Sequence, residues 1–181
     1  MKYKLIVFLL GILLSSCVTK PAGYQYSVIE APDYVRERAV FYAMEYVNRG
    51  TSFELGGRSL LEQQGNLELD CSGLIVRVFQ YAIRNTKYRL LFNDTNVSSL
   101  FSYFSIPVEE PTAGDFIFMG FGGTYPSHIS IFVRMENDNI YFIDSTLLPT
   151  QGIDGVSLRY YKKHDFRFLS FGRLLLGANL F

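Results

Sequence analysis

From Asp33 to Asn48 the apolar residues Val35, Ala39, Val40, Ala43, Met44 and Val47 recur at three- and four-residue steps. That period gathers them on one side of an amphipathic helix, and Gly50 supplies its stop. A second helix is predicted from Cys71 to about Arg84, where Leu74, Ile75, Val78, Phe79 and Ala82 make a stripe wide enough to be largely buried. Asp70 stands where its N-cap belongs. Thr51 to Asn66 is rich in turn formers. Between Tyr88 and Pro107 aromatic residues mix with Ser and Asn and follow no clear period.

From Gly114 onward the pattern shortens. Phe116 to Met119, Ile129 to Val133, Ile140 to Ile143, Val156 to Tyr160 and Leu169 to Leu174 are β-prone runs separated by Gly, Pro, Asn and Asp. Glu136-Asn137-Asp138-Asn139 reads as the hairpin turn joining the second and third of them. Helices first and hairpin-linked strands afterwards predict an α+β domain, with helices packed on an antiparallel sheet of about five or six strands.

The first residues have another purpose. Lys2 and Lys4 precede an apolar run from Leu5 to Leu14, and Ser15 and Ser16 precede Cys17. This is the layout of a secretory signal, and its apolar run is shorter than the roughly 20 helical residues that span a bilayer. Leu14-Ser15-Ser16-Cys17 resembles the bacterial lipobox, which implies an acylated Cys17 as the first mature residue. Val18 rather than Asp after it favours the outer membrane, facing the periplasm, over retention in the inner one. The expected organisation is therefore a signal peptide over 1–16, a lipid-anchored tether over 17–32 and one domain over 33–181.

Removing 1–16 leaves 165 of the 181 residues, enough for one domain with a sizeable core, and takes the net charge from zero to −2 through Lys2 and Lys4. No basic cluster remains to suggest nucleic acid. With two cysteines and two histidines, and neither CxxC nor HExxH, no metal-ligand spacing is present and no cofactor is implied. Lipidation of Cys17 leaves Cys71 as a lone thiol. A monomer is expected.

A cysteine nucleophile reacts as its thiolate, and a helix N-terminus favours negative charge, so Cys71 in the first turn of the second helix is suitably placed. The adjacent Asp70 opposes this unless its carboxylate turns to cap the helix. His128 begins a strand in Pro126-Ser127-His128-Ile129-Ser130-Ile131, and imidazole suits base catalysis near neutrality. Asp144 ends the neighbouring strand, where a carboxylate can orient an imidazole or simply bond the next turn. His164, in Lys162-Lys163-His164-Asp165, reads as part of a solvated loop.

Four segments taken in order, Asp70-Cys71-Ser72-Gly73, Pro111-Thr112-Ala113-Gly114-Asp115-Phe116, Ser127-His128-Ile129-Ser130-Ile131 and Tyr141-Phe142-Ile143-Asp144-Ser145, resemble the NlpC family of bacterial cell-wall cysteine peptidases. The similarity runs from about Val35 to the C-terminus and includes Gly56-Gly57. It implies a papain-like fold and cleavage of peptidoglycan stem peptides, typically between D-glutamate and a diamino acid. By motif position Cys71 is the nucleophile, His128 the base and Asp144 the third polar residue, while Asp70 and Ser72 flank the nucleophile where the family contacts substrate. Two positions depart from the family. The third residue is usually His, Asn or Gln rather than Asp, and Phe53 stands where Tyr is common, which removes one hydroxyl from the substrate side. Two other readings stay open: a related amidase or acyltransferase, and a non-catalytic lipoprotein that holds wall peptides.

Overall fold

The computed structural model describes residues 26–120, 122 and 124–179. The signal segment, Cys17 and the first part of the tether lie outside them. The chain orders as β1 (Tyr26–Glu30), α1 (Asp33–Asn48), β2 (Ser52–Phe53), β3 (Glu68–Leu69), α2 (Cys71–Ala82), β4 (Tyr88–Leu90), α3 (Val97–Tyr103), β5 (Ser105–Val108), β6 (Phe116–Met119), β7 (His128–Glu136), β8 (Asn139–Leu148), β9 (Ile153–Lys162) and β10 (Phe168–Asn179).

Both predicted helices form. Helix α1 buries Val35, Ala39, Ala43 and Tyr46 on one face. Helix α2 buries Leu74, Ile75, Val78, Phe79 and Ala82 against the sheet, and each such side chain contributes about 1.5–3 kcal/mol relative to exposure. That burial makes α2 a fixed axis, so its N-terminal residue is held rigidly.

The sheet has eight strands, in the order β1-β10-β6-β7-β8-β9, with β4 and β5 also paired to β10. All pairings within it are antiparallel. Five or six strands were expected; the additional ones are short segments that bind to the long β10. Its residues 175–179 pair with β1 while 176–178 pair with β4, and its residues 168–174 lie against β5 and β6. Tyr26–Glu30, expected within the tether, is thereby an edge strand. The aromatic middle resolves into β4, α3 and β5, and α3 is capped by Asn96, whose side chain accepts from the Ser99 N–H at 2.9 Å.

Strands β6 to β8 are buried on both faces. Phe116, Phe118, Ile129, Ile131 and Ile143 point into the core shared with the helices. The alternate residues Ile117, Met119, Phe132, Ile140 and Phe142 form a second cluster covered by Tyr161, Phe168 and Phe171. The β7–β8 hairpin turns at Asn137 and Asp138, both at positive φ (49° and 60°), the conformation Asn and Asp tolerate best in tight turns.

Candidate active site

Asp70 turns its carboxylate onto the start of α2, and that resolves its opposition to the neighbouring thiol. Its Oδ1 accepts from the Gly73 N–H at 2.6 Å and the Ser72 hydroxyl at 2.8 Å, while Oδ2 accepts from the Gly56 N–H at 2.9 Å. Arg58 adds an ion pair at 2.8 Å. Burial alone would raise this carboxyl, but the Gly73 N–H, the Ser72 hydroxyl and the Arg58 charge outweigh it and hold the group below the usual carboxylate range. The negative charge beside Cys71 is therefore matched by a guanidinium and fixed as a helix cap.

Two glycines of the matching segments have a steric reason to be there. Gly56 sits at φ 79°, which lets its N–H face Asp70. A side-chain carbon on Gly73 would lie 2.2 Å from the Gly57 carbonyl oxygen and 2.5 Å from Arg58 Nη1. Only a bare backbone lets the Gly57-Arg58 segment close on the end of α2.

His128 opens β7 and Asp144 lies near the middle of β8. Their side chains meet, with Nε2 2.6 Å from Asp144 Oδ2. The other ring nitrogen, Nδ1, is free of the carboxylate, and His128 lines the same cleft as Cys71. Burial pulls the imidazole down, yet the bonds to Asp144 and to Cys71 and their charges overcome it and raise it to about 9. The protonated ring is thus the favoured form at neutral pH.

Asp144 is wholly buried, and a second cation holds it from behind. Arg159 on β9 donates from Nε to Oδ1 at 3.0 Å, and its Nη2 pairs with Oδ2. Arg159 Nη1 donates to the Tyr161 hydroxyl at 2.8 Å. Next to Asp144, the Ser145 hydroxyl donates to the Leu69 carbonyl at 2.6 Å, which ties the strand carrying the carboxylate to the residues just ahead of Cys71.

A cleft of about 600 Å³ opens over this group. Phe53, Leu55, Val97 and Leu147 make its apolar part, and Asn96, Ser127 and Thr146 its neutral polar part. Phe53 is held through its backbone, whose N–H donates to Asp154 at 3.0 Å. Asp70 and Ser72 line the cleft too, but their polar atoms are already engaged with Gly56, Gly73 and Arg58. His164 lies elsewhere, exposed on the rim of a separate hollow with Glu110, Lys163 and Phe171. Arg58, Arg159 and Ser145 were not anticipated from the sequence. A buried arginine in an alternating strand is visible only once hairpin register places it beside a carboxylate.

The arrangement offers a thiol at a helix N-terminus and an imidazole that line one open cleft, with a buried carboxylate behind the imidazole. These are the parts of acyl transfer through a thioester.

Among solved structures, the chain is similar to the NlpC/p60 domain of the peptidoglycan hydrolase SagA, at 23% identity over 76% of this chain and 97% of that one, with a TM-score of 0.44. It is also similar to Ly7917, at 12% identity over 80% of this chain and 62% of that one, with a TM-score of 0.48. No curated protein sequence matches it. The NlpC/P60 family model matches residues 50–170, 121 of the 181, a span that contains Cys71, His128, Asp144 and Arg159. The chain therefore belongs to the NlpC/P60 family, a family of cell-wall peptidases.

Proposed function

We propose that this protein is a peptidoglycan endopeptidase that cleaves stem-peptide amides, between D-glutamate and a diamino acid, through a Cys71 thioester. The placement of Cys71, at the start of α2, on one cleft with a His128 imidazole held 2.6 Å from Asp144 carries this reading. The thiolate attacks the carbonyl carbon, and the oxyanion that forms is met by the backbone N–H of Cys71 at the open end of the helix. Protonated His128 gives its proton to the leaving amine as the C–N bond breaks. The neutral ring then takes a proton from water, which attacks the thioester and releases the acid and the thiol.

Digesting purified muropeptides with the protein and weighing the products tests the reading. Two fragments whose masses sum to the substrate plus one water are expected, and neither should form with Cys71→Ala or His128→Ala. Binding without cleavage by wild-type protein would make it a wall-peptide binder instead. The apolar part of the cleft, Phe53, Leu55, Val97 and Leu147, favours a second reading in which the acyl group passes to an amine acceptor. A product carrying that amine in place of water would establish transfer.

The enzyme is further proposed to act as a monomer from the outer membrane, anchored by acyl chains on Cys17. Two chains are needed because a single one binds membranes only marginally. Wild-type protein should enter the detergent phase of a phase-separation extract and Cys17→Ser should not. Wild type found wholly in the aqueous phase would end the anchor proposal.

A further inference from the structure

Two buried carboxylates flank the Cys71–His128 couple, and each has its own arginine. On the helix side Asp70 is paired with Arg58, which also reaches Asp94 at 2.9 Å. On the sheet side Asp144 is paired with Arg159. The second pair is the more enclosed, with Asp144 fully buried and the Arg159 side chain 10% exposed. Arg159 lies 5.2 Å from the centre of the Phe142 ring and bonds the Tyr161 hydroxyl, so its plane is fixed. Behind Tyr161, Arg167 stacks at 3.4 Å from the ring centre and is itself paired with Asp165. Asp154, at the start of β9, is committed to the Phe53 N–H.

The cross-strand row through Asp144 has no other donor for it. Ser157 is its register partner on β9, and Ser130 precedes Ile131, the partner of Ile143, on β7. Both hydroxyls are buried and make no hydrogen bond. Among the described residues, the side chains that hold the carboxylate are His128 and Arg159.

We propose that Arg159 is the positioning residue of this site: it fixes both oxygens of Asp144 and cancels their charge, so that the carboxylate can orient His128 without setting a second anion against the Cys71 thiolate. A thiolate and a bare carboxylate around one imidazole would leave the buried group with net negative charge, and interactions in such a site are weakly screened. A guanidinium on the far side brings the set of Arg159, Asp144, His128 and Cys71 to neutrality when thiolate and imidazolium form. The planar fork of arginine does this while setting the carboxylate plane, which an ammonium does not.

This inference rests on Cys71 as the nucleophile but not on the identity of the substrate, so its deciding measurement, alkylation of the thiol, uses none. The full chain is treated with iodoacetamide across pH 5 to 10, and Cys71 alkylation is followed by peptide mass. Arg159→Met removes a positive charge and should move the labelling curve to higher pH, with Cys71 labelled about tenfold more slowly at pH 6, the equivalent of one pH unit. Arg159→Lys keeps the charge and should label as wild type does, while its kcat on a muropeptide falls and KM stays level because the fork is lost. Arg159→Gln, which still donates hydrogen bonds, serves if the methionine variant does not fold. A folded Arg159→Met or Arg159→Gln with the wild-type labelling curve would overturn the proposal, as would a lysine variant that shifts as the neutral ones do. Loss of muropeptide cleavage by wild type with these labelling shifts intact would instead count against the peptidase reading alone.

Discussion

At the scale of single residues, the site depends on charges being paired before they are buried. Cys71→Ala and His128→Ala should each abolish hydrolysis, since nucleophile and base act as one unit and their losses do not add. Asp144→Asn keeps an acceptor for the imidazole but not the charge, and Asp144→Ala keeps neither. Muropeptide turnover should therefore rank wild type, asparagine, alanine, with the alanine variant down by about 10²-fold or more. Asp144 reads from the sequence as a strand-end residue that orients an imidazole or bonds the next turn. Its full burial between His128 and Arg159 adds a structural role to that reading. Either variant leaves a buried guanidinium without its anion, and breaking such a pair costs about 3–5 kcal/mol, so the melting temperature should fall along with activity. His128 gives a further prediction. Its pKa is raised from 6.5 to about 9 by folding, so the folded protein binds more protons than the unfolded chain between those values. The stability this confers is complete below about pH 6.5 and is lost as pH rises through 9. Thermal melts across pH 6 to 10 should show that decline, and His128→Gln should flatten it.

At the scale of elements, the helix N-terminus is shaped by what packs on it. Asp70 caps α2, Gly56 lends an N–H to the cap, and Gly73 lets Gly57 and Arg58 approach. Gly73→Ala would force a side-chain carbon to within 2.2 Å of a carbonyl oxygen that belongs to backbone. Such overpacking typically costs about 1–3 kcal/mol. Because the displaced segment carries Arg58, the partner of Asp70, the thiol should also react more slowly with alkylating reagents. A Gly73→Ala protein with wild-type melting and labelling would mean that this close approach is dispensable. The same logic gives Ser145 its place: its bond to the Leu69 carbonyl at 2.6 Å joins β8, which carries Asp144, to the turn into α2, which carries Cys71.

At the scale of the whole molecule, α1, β6 and β10 are tied by a third buried carboxylate with arginine partners. Asp115, fully buried, accepts from Arg173 Nε at 2.9 Å and pairs with Arg36 of α1 at 3.2 Å. The Pro111-Thr112-Ala113-Gly114-Asp115 segment thus earns its place through architecture, away from the cleft. Asp115→Ala should lower unfolding stability by about 3–5 kcal/mol, read from the denaturant midpoint, while Cys71 keeps its labelling rate in the protein that remains folded. A loss of labelling in step with wild-type stability would instead connect this cluster to the site.

The two main helices, five of the strands and the β7–β8 turn were legible from local pattern, because periodicity and turn chemistry are written in consecutive residues. Cys71, His128 and Asp144 were legible as a candidate set because short segments in a set order resemble a known family. The short strands β1, β4 and β5 were not, since a strand of three to five residues without strict alternation takes its structure from the partner it pairs with, here β10. Nor were the arginines. Arg58, Arg159 and Arg173 look like surface charges in sequence, and each becomes a buried or half-buried counter-ion once register or packing sets it against Asp70, Asp144 or Asp115. The sequence by itself determined the main helices and strands and which side chains are candidates for the chemistry, because those depend on residues close along the chain. Which charge neutralises which was decided by the tertiary structure alone, because Coulomb energy depends on distance in space, and residues 12 to 58 positions apart meet only when the chain folds.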